Sequence, residues 1–177
     1  MMKTIKVMLC PNQKQRTKLF ACAGLARFAY NWALDREQES HKAGNPFRSD
    51  SYLRKQFTAL KSEKDYQWLS EYSNNIPKQA IKDAVRAYQK FFKGRSKFPK
   101  FKSKRKSRPS FYVDPYKIRF TATHVKLEKL TTSRKKNKQR FNLVKLSESN
   151  RIPVNATYLN PRVTFDGLNW WISVGVF

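Results

Sequence analysis

Between residues 84 and 113 the chain carries eleven basic side chains and no acidic one, and the hydrophobic period changes across that stretch. Before it, apolar residues recur at spacings of three and four, as on a helix face; after it they alternate, as in strands. A chain ordered this way builds a helical part and a sheet part, joined by a segment of unbalanced positive charge. The whole chain holds 38 Lys and Arg against 12 Asp and Glu, a formal charge of +26. Self-repulsion of that size opposes compaction unless a polyanion offsets it, and nucleic acid is the commonest such partner. An anionic membrane surface is the rival. However, no apolar run approaches the roughly 18 residues a span needs, and no signal-peptide pattern opens the chain. A content of 40% apolar and 14% aromatic residues is too rich for a disordered polybasic tail, so a packed core is expected.

Local chemistry places the elements. Lys3–Leu9 alternates at Ile5, Val7 and Leu9 as a half-buried strand, and Pro11 stops it. Asn12 with Gln15 makes a capping box for a helix whose face is Leu19, Ala23, Ala26, Tyr30 and Ala33, with a break expected at Gly24. A loop follows at 41–46, then a helix over Ser51–Lys61. The strongest helix begins around Pro77, buries Ile81, Val85, Tyr88 and Phe92, and ends at Gly94. Strands are expected at Lys117–Phe120, Val125–Leu127, Arg140–Leu146, Arg162–Phe165 and Leu168–Val176, the last two joined by a two-residue Asp166-Gly167 turn. The fold class is therefore α+β: a helical lobe inserted after the first strand of a small antiparallel β-barrel. The corresponding divisions are 1–10 for the first strand, 11–94 for the helical lobe, 95–110 for a basic connector and 111–177 for the rest of the barrel.

Nine of the 16 residues from Lys93 to Arg108 are basic. Lys93, Arg95, Lys97, Lys100, Lys102, Lys104, Arg105 and Lys106 are candidate phosphate ligands, since such contacts release condensed counterions. Phe98 and Phe101, interleaved among them, either pin the strand to the core or stack on bases. A second basic stretch, with Arg134, Lys135, Lys136 and Lys138, sits where a hairpin loop is expected; it contacts phosphate or is simply solvated. Tyr30 falls on the apolar helix face and reads as core. Asn31 falls off that face and is placed to cap or hydrogen-bond another element.

With five glycines the chain has no phosphate-cradling loop. His41 and His124 have no sequence-local catalytic partners, and two histidines with two cysteines at unrelated spacings argue against a structural zinc site. No cofactor, metal or small-molecule substrate is expected, and the scattered carboxylates point to no nuclease centre. Cys10 and Cys22 read as reduced, buried thiols of a cytoplasmic protein.

Taken in order, these motifs resemble the N-terminal half of the TnpB family, transposon-encoded RNA-guided nucleases related to type V CRISPR effectors. The features are Pro11-Asn12-Gln13, Arg27-Phe28-Ala29-Tyr30-Asn31, Trp68-Leu69, Gln79-Ala80 and Ala87-Tyr88-Gln89-Lys90-Phe91-Phe92-Lys93-Gly94. Phe98-Pro99-Lys100-Phe101-Lys102-Ser103-Lys104, Ser110-Phe111-Tyr112 and Trp170-Trp171-Ile172-Ser173-Val174 continue the series, so the resemblance covers essentially the whole chain. It implies a wedge barrel split by a helix-turn-helix-like recognition lobe, holding guide RNA and its RNA–DNA hybrid. It also implies that Asn74, Asn75, Lys78, Phe111 and Tyr112 read a short motif beside the target. A TnpB protein continues past such a hairpin into a RuvC-like nuclease domain and a zinc ribbon. The expectation is thus a truncated or separately encoded half that binds and does not cut, with a separately encoded nuclease half as a candidate partner. Two other readings stay open: a double-stranded-DNA-binding helix-turn-helix repressor, and a non-functional remnant of an interrupted gene.

Overall fold

In the computed structural model, which describes residues 1–177, strand β1 (Lys3–Cys10) turns at Pro11 into helix α1 (Gln13–Lys42). The capping box is complete: Asn12 Oδ1 accepts from the Gln15 N–H at 2.8 Å, and Gln15 Oε1 accepts from the Asn12 N–H at 3.0 Å. Helix α2 (Asp50–Ala59) and two 3₁₀ segments (Leu60–Ser62 and Lys64–Glu71) lead to α3 (Asn75–Phe92). Phe57 of α2 meets Trp32 and Phe28 of α1 at ring separations of 5.2 and 6.1 Å. Gly94 takes the left-handed conformation (φ +68°), and the Arg95 N–H returns to the Lys90 carbonyl at 2.8 Å, a Schellman-type stop for α3.

The break expected at Gly24 is absent; α1 runs 30 residues without interruption. Glycine inside a helix costs roughly 1 kcal/mol, which the burial of Leu19, Ala23, Leu25, Ala29, Ala33 and Leu34 readily offsets.

After the basic segment come β2 (Ser110–Tyr112), β3 (Arg119–Phe120), β4 (His124–Lys126), a 3₁₀ segment (Gln139–Asn142), β5 (Leu143–Leu146), β6 (Tyr158–Phe165) and β7 (Trp170–Val176). They form one seven-stranded antiparallel sheet in the order β2-β6-β7-β1-β5-β4-β3. β1 is the spine: Lys3–Met8 pair with β7, and Leu9–Cys10 pair with β5. The class is α+β as expected; β2 and β3 are the two edges of the sheet, and strand pairing does not join them to each other. β3 is only two residues long, and Arg119 turns its guanidinium onto the Tyr116 and Ile118 carbonyls at 2.8 Å each, occupying acceptors beside that edge. The sheet nonetheless curls until Phe120 meets Tyr158 at 4.9 Å.

The β6–β7 connection also differs from expectation. Phe165 pairs with Trp170, leaving a four-residue loop. Asp166 accepts from the N–H groups of Leu168 and Asn169 and from the Trp171 indole at 2.7–2.8 Å. These bonds hold its carboxyl down at about 2. Leu168, expected in the strand, lies in the loop and is exposed. Of the two free cysteines Cys22 is buried, which pushes its thiol up to about 12. Cys10 is exposed, contrary to expectation, because it ends β1 on the outward side.

Two polar joints tie helices to sheet. Arg162 of β6 pairs with Asp83 of α3 at 3.1 Å. Glu128, just after β4, accepts from Ser73 Oγ at 2.7 Å, Asn75 Nδ2 at 3.1 Å and Lys117 Nζ at 3.1 Å. Burial pushes the Glu128 carboxyl up, but those three hydrogen bonds outweigh it and hold it below the ordinary glutamate value. Its folded form is therefore favoured while ionised; the stabilisation is present above the unfolded pKa and is lost as pH falls through the folded one. Glu128→Gln should destabilise the chain by about 1–3 kcal/mol at neutral pH. The difference should shrink toward zero as the wild-type carboxyl titrates, read by urea unfolding at neutral and acidic pH.

Candidate nucleic-acid interface

Two amide side chains on α1 hold the two basic segments. Asn31 grips the backbone of Lys102 at both ends, with Nδ2 donating to its carbonyl and Oδ1 accepting from its N–H, each at 2.8 Å. The Lys102 ammonium lies over the Tyr30 ring at 4.1 Å. Burial pushes this ammonium below the ordinary lysine value, with Asp83 opposing and Arg162 adding to the effect. Lys102 is thus a strut of the fold as much as a surface cation. Gln15, itself buried, donates to the carbonyls of Phe141 at 3.1 Å and Leu143 at 2.8 Å, fixing the end of the second basic loop. Sixteen residues of α1 separate the two anchors, about 24 Å at the helical rise.

The first segment therefore runs as a fixed wall. Pro99 is buried, and Phe98 seats its ring against Tyr88 and Phe91 at 5.6 and 5.1 Å. Past the clamp, Lys104, Arg105, Lys106 and Arg108 line one side of a cleft of about 750 Å³. The other side is Phe20, Gly24 and Arg27 of α1 with the Phe165–Gly167 turn. Phe20 meets Phe165 and the buried Trp170 edge-on, both at 4.9 Å, so the cleft has an aromatic floor and a basic rim. Lys93, Arg95, Lys97 and Lys100 are exposed between the end of α3 and the clamp.

Arg134, Lys135, Lys136 and Lys138 are exposed in the loop before β5. Lys136 shares a shallow cavity with Lys126 and Arg140, and Lys138 shares another with His124, Arg140 and Lys145. The second patch is therefore built from loop and strands together. Lys126 and Lys145 could be found only from the β4–β5 register, whereas Arg27 stands one turn before Asn31 and was accessible from helical spacing.

The residues at the start of α3 are partly committed. Asn75 donates to Glu128, and Asn74 accepts from Lys61 Nζ. Lys78 is exposed. Phe111 is only 3% exposed, since β2 turns it inward, so its ring has no free face. Tyr112 is half-buried with the Arg162 guanidinium over it at 5.9 Å. Both line a crevice of about 60 Å³ with Gln79, Asp83, Lys102 and Arg162, too small for a nucleotide. The carboxylates do not converge: no three His, Cys, Asp or Glu side chains stand close enough to share a cation. No helix is long and apolar enough to cross a membrane.

A fixed basic wall, an aromatic-floored cleft and a second cationic patch on one helical spine define a nucleic-acid-binding module. The comparisons with known proteins agree. The family HTH_OrfB_IS605, described as a helix-turn-helix domain, matches residues 1–46. The chain is 30% identical over 136 residues to the Putative RNA-guided DNA endonuclease InsQ of Escherichia coli (strain K12), covering 77% of this chain and 34% of that protein. It is 31% identical over 110 residues to a Putative RNA-guided DNA endonuclease of Streptomyces pristinaespiralis, covering 61% of this chain and 27% of that protein. Residues 1–46 thus match a helix-turn-helix family, and the chain is similar to part of two proteins named as RNA-guided DNA endonucleases; it spans about a third or less of the length of these curated relatives. In this chain residues 1–46 fold as β1, the single helix α1 and the turn that follows it.

Proposed function

We propose that this chain binds guide RNA and its hybrid with target DNA within a TnpB-like RNA-guided system, holding them chiefly by the backbone. The observation that supports this most directly is the clamping of an acid-free basic run against α1, which makes it a fixed wall. A helix entering the major groove after a tight turn from a partner helix is the usual geometry of duplex-reading helix-turn-helix proteins. Residues 1–46, which match the helix-turn-helix family, hold the single helix α1 and no such pair, and this supports the RNA and hybrid reading over the repressor one. In this reading Lys104, Arg105, Lys106, Arg108 and Arg27 follow one stretch of phosphates, and Lys136, Lys138 and Arg140 meet another. Asn74, Asn75 and Lys78 face a short target-adjacent DNA motif, with Tyr112 bracing their helix from β2.

The test is competition binding of the purified chain with structured RNA, RNA–DNA hybrid and duplex DNA of matched length, over a salt series. The expected result is preference for RNA and hybrid, with log affinity falling by about 0.7–0.9 per phosphate contacted for each decade of salt. Preference for duplex DNA, or affinity insensitive to salt, would overturn the proposal.

A further inference from the structure

Four phenylalanines lie between Phe91 and Phe101, and three are spent on one another or on α3. Phe91, Phe92 and Phe98 form a chain of ring contacts at 5.1–5.9 Å that includes Tyr88. Phe92, expected to be buried, is 51% exposed and Phe98 46%, but their rings are held by these neighbours; Phe101, also 51% exposed, meets no aromatic ring. Its position is nonetheless determined: Pro99, two residues before, is buried, and Lys102, one residue after, is clamped at both backbone groups by Asn31. The exposed Lys100 and Lys104 flank it. A large apolar ring held toward water by a clamped backbone, among cations and with no acidic residue from 84 to 113, suits a partner that presents phosphates and a flat π-face at adjacent positions. A nucleotide does so, but only when its base face is not covered by a neighbouring base pair.

We infer that Phe101 is a stacking platform for an unpaired base of a bound RNA strand, with Asn31 as the positioning residue that presents it. This deepens the proposal above and rests on it. Phe98 has a different role, since its ring is engaged by Tyr88 and Phe91. Stacking of this kind tolerates any base, so the platform selects for single-stranded or bulged RNA and not for sequence. It also predicts a division of labour: the lysines set the salt dependence, and the ring sets the preference for unpaired over paired strands.

The experiment measures binding of the full chain to a short uridine-rich single-stranded RNA and to a long hybrid duplex, over a salt series. Phe101→Ala should weaken single-strand binding about tenfold or more, leave hybrid binding and the salt slope unchanged, and leave the melting temperature unchanged because the ring is exposed. Phe101→Trp should retain the affinity and add an indole signal that RNA quenches. If Phe101→Ala stays within about twofold of wild type on the single strand, or weakens both ligands equally, the inference is overturned. A companion variant carrying Lys104→Ala, Arg105→Ala and Lys106→Ala separates the two levels. Loss of affinity and salt slope in that variant keeps the nucleic-acid reading while the ring is judged by itself; no loss in that variant overturns the wider proposal.

Discussion

Replacing Lys104, Arg105, Lys106 and Arg108 together by alanine is expected to lower RNA affinity by about two to three orders of magnitude near 100 mM salt. The log–log salt slope should become shallower by about three to four. Each side chain counts as one phosphate contact, because all four line the same cleft and none of them forms an ion pair. Folding should survive the change. These side chains lie on a segment whose backbone is held by Asn31 and Pro99, and removing four charges from a total of +26 relieves self-repulsion. Filter binding across a salt series, paired with thermal unfolding, separates the two effects. A variant with unchanged affinity and slope would overturn the phosphate track placed in this cleft, and with it the proposed function.

Local chemistry made much of the scaffold readable. The Asn12–Gln15 box, the stop at Gly94 and the β6–β7 hairpin each depend on residues within a few positions of one another. The assignment of Asn31 to a partner outside its own helix was also readable, since it falls off the apolar face of α1. The partner was not. Lys102 is 71 positions away, and Gln15 reaches 126 and 128 positions to Phe141 and Leu143. No local pattern encodes such pairings; they follow from the long α1 lying across both the basic segment and the sheet. The continuity of α1 through Gly24 was hidden for a related reason. A β-carbon there would meet only the tip of the Arg27 guanidinium at 4.0 Å, so nothing local reveals that packing along the helix decides the matter. Phe111 is the opposite case. A resemblance carried it into a recognition role, but β2 pairs with β6 in a register that turns its ring into the core.

The largest loss of stability from a single substitution is expected at Trp170. It is 1% exposed at the start of β7, and its ring packs against Phe20 of α1 at 4.9 Å and Phe165 of β6 at 5.2 Å. Trp170→Ala should cost about 3–5 kcal/mol through lost burial and the cavity left behind, a fall in melting temperature of roughly 6–20 °C for a chain of this size. Trp170→Phe should cost much less, because it keeps an aromatic ring against Phe20 and Phe165. It also removes an indole N–H that has no hydrogen-bond partner in the core. The pair of variants connects stability to the cleft, since Phe20 and Phe165 are at once the neighbours of Trp170 and the floor beneath the basic rim. At a temperature where Trp170→Ala is still mostly folded, RNA affinity should fall while the salt slope stays at the wild-type value, because the floor has sagged and the cations have not moved. If Trp170→Ala were to cost less than about 1 kcal/mol, helix and sheet would not share a single core. The aromatic floor would then be an independent surface feature, resting on Phe20 alone.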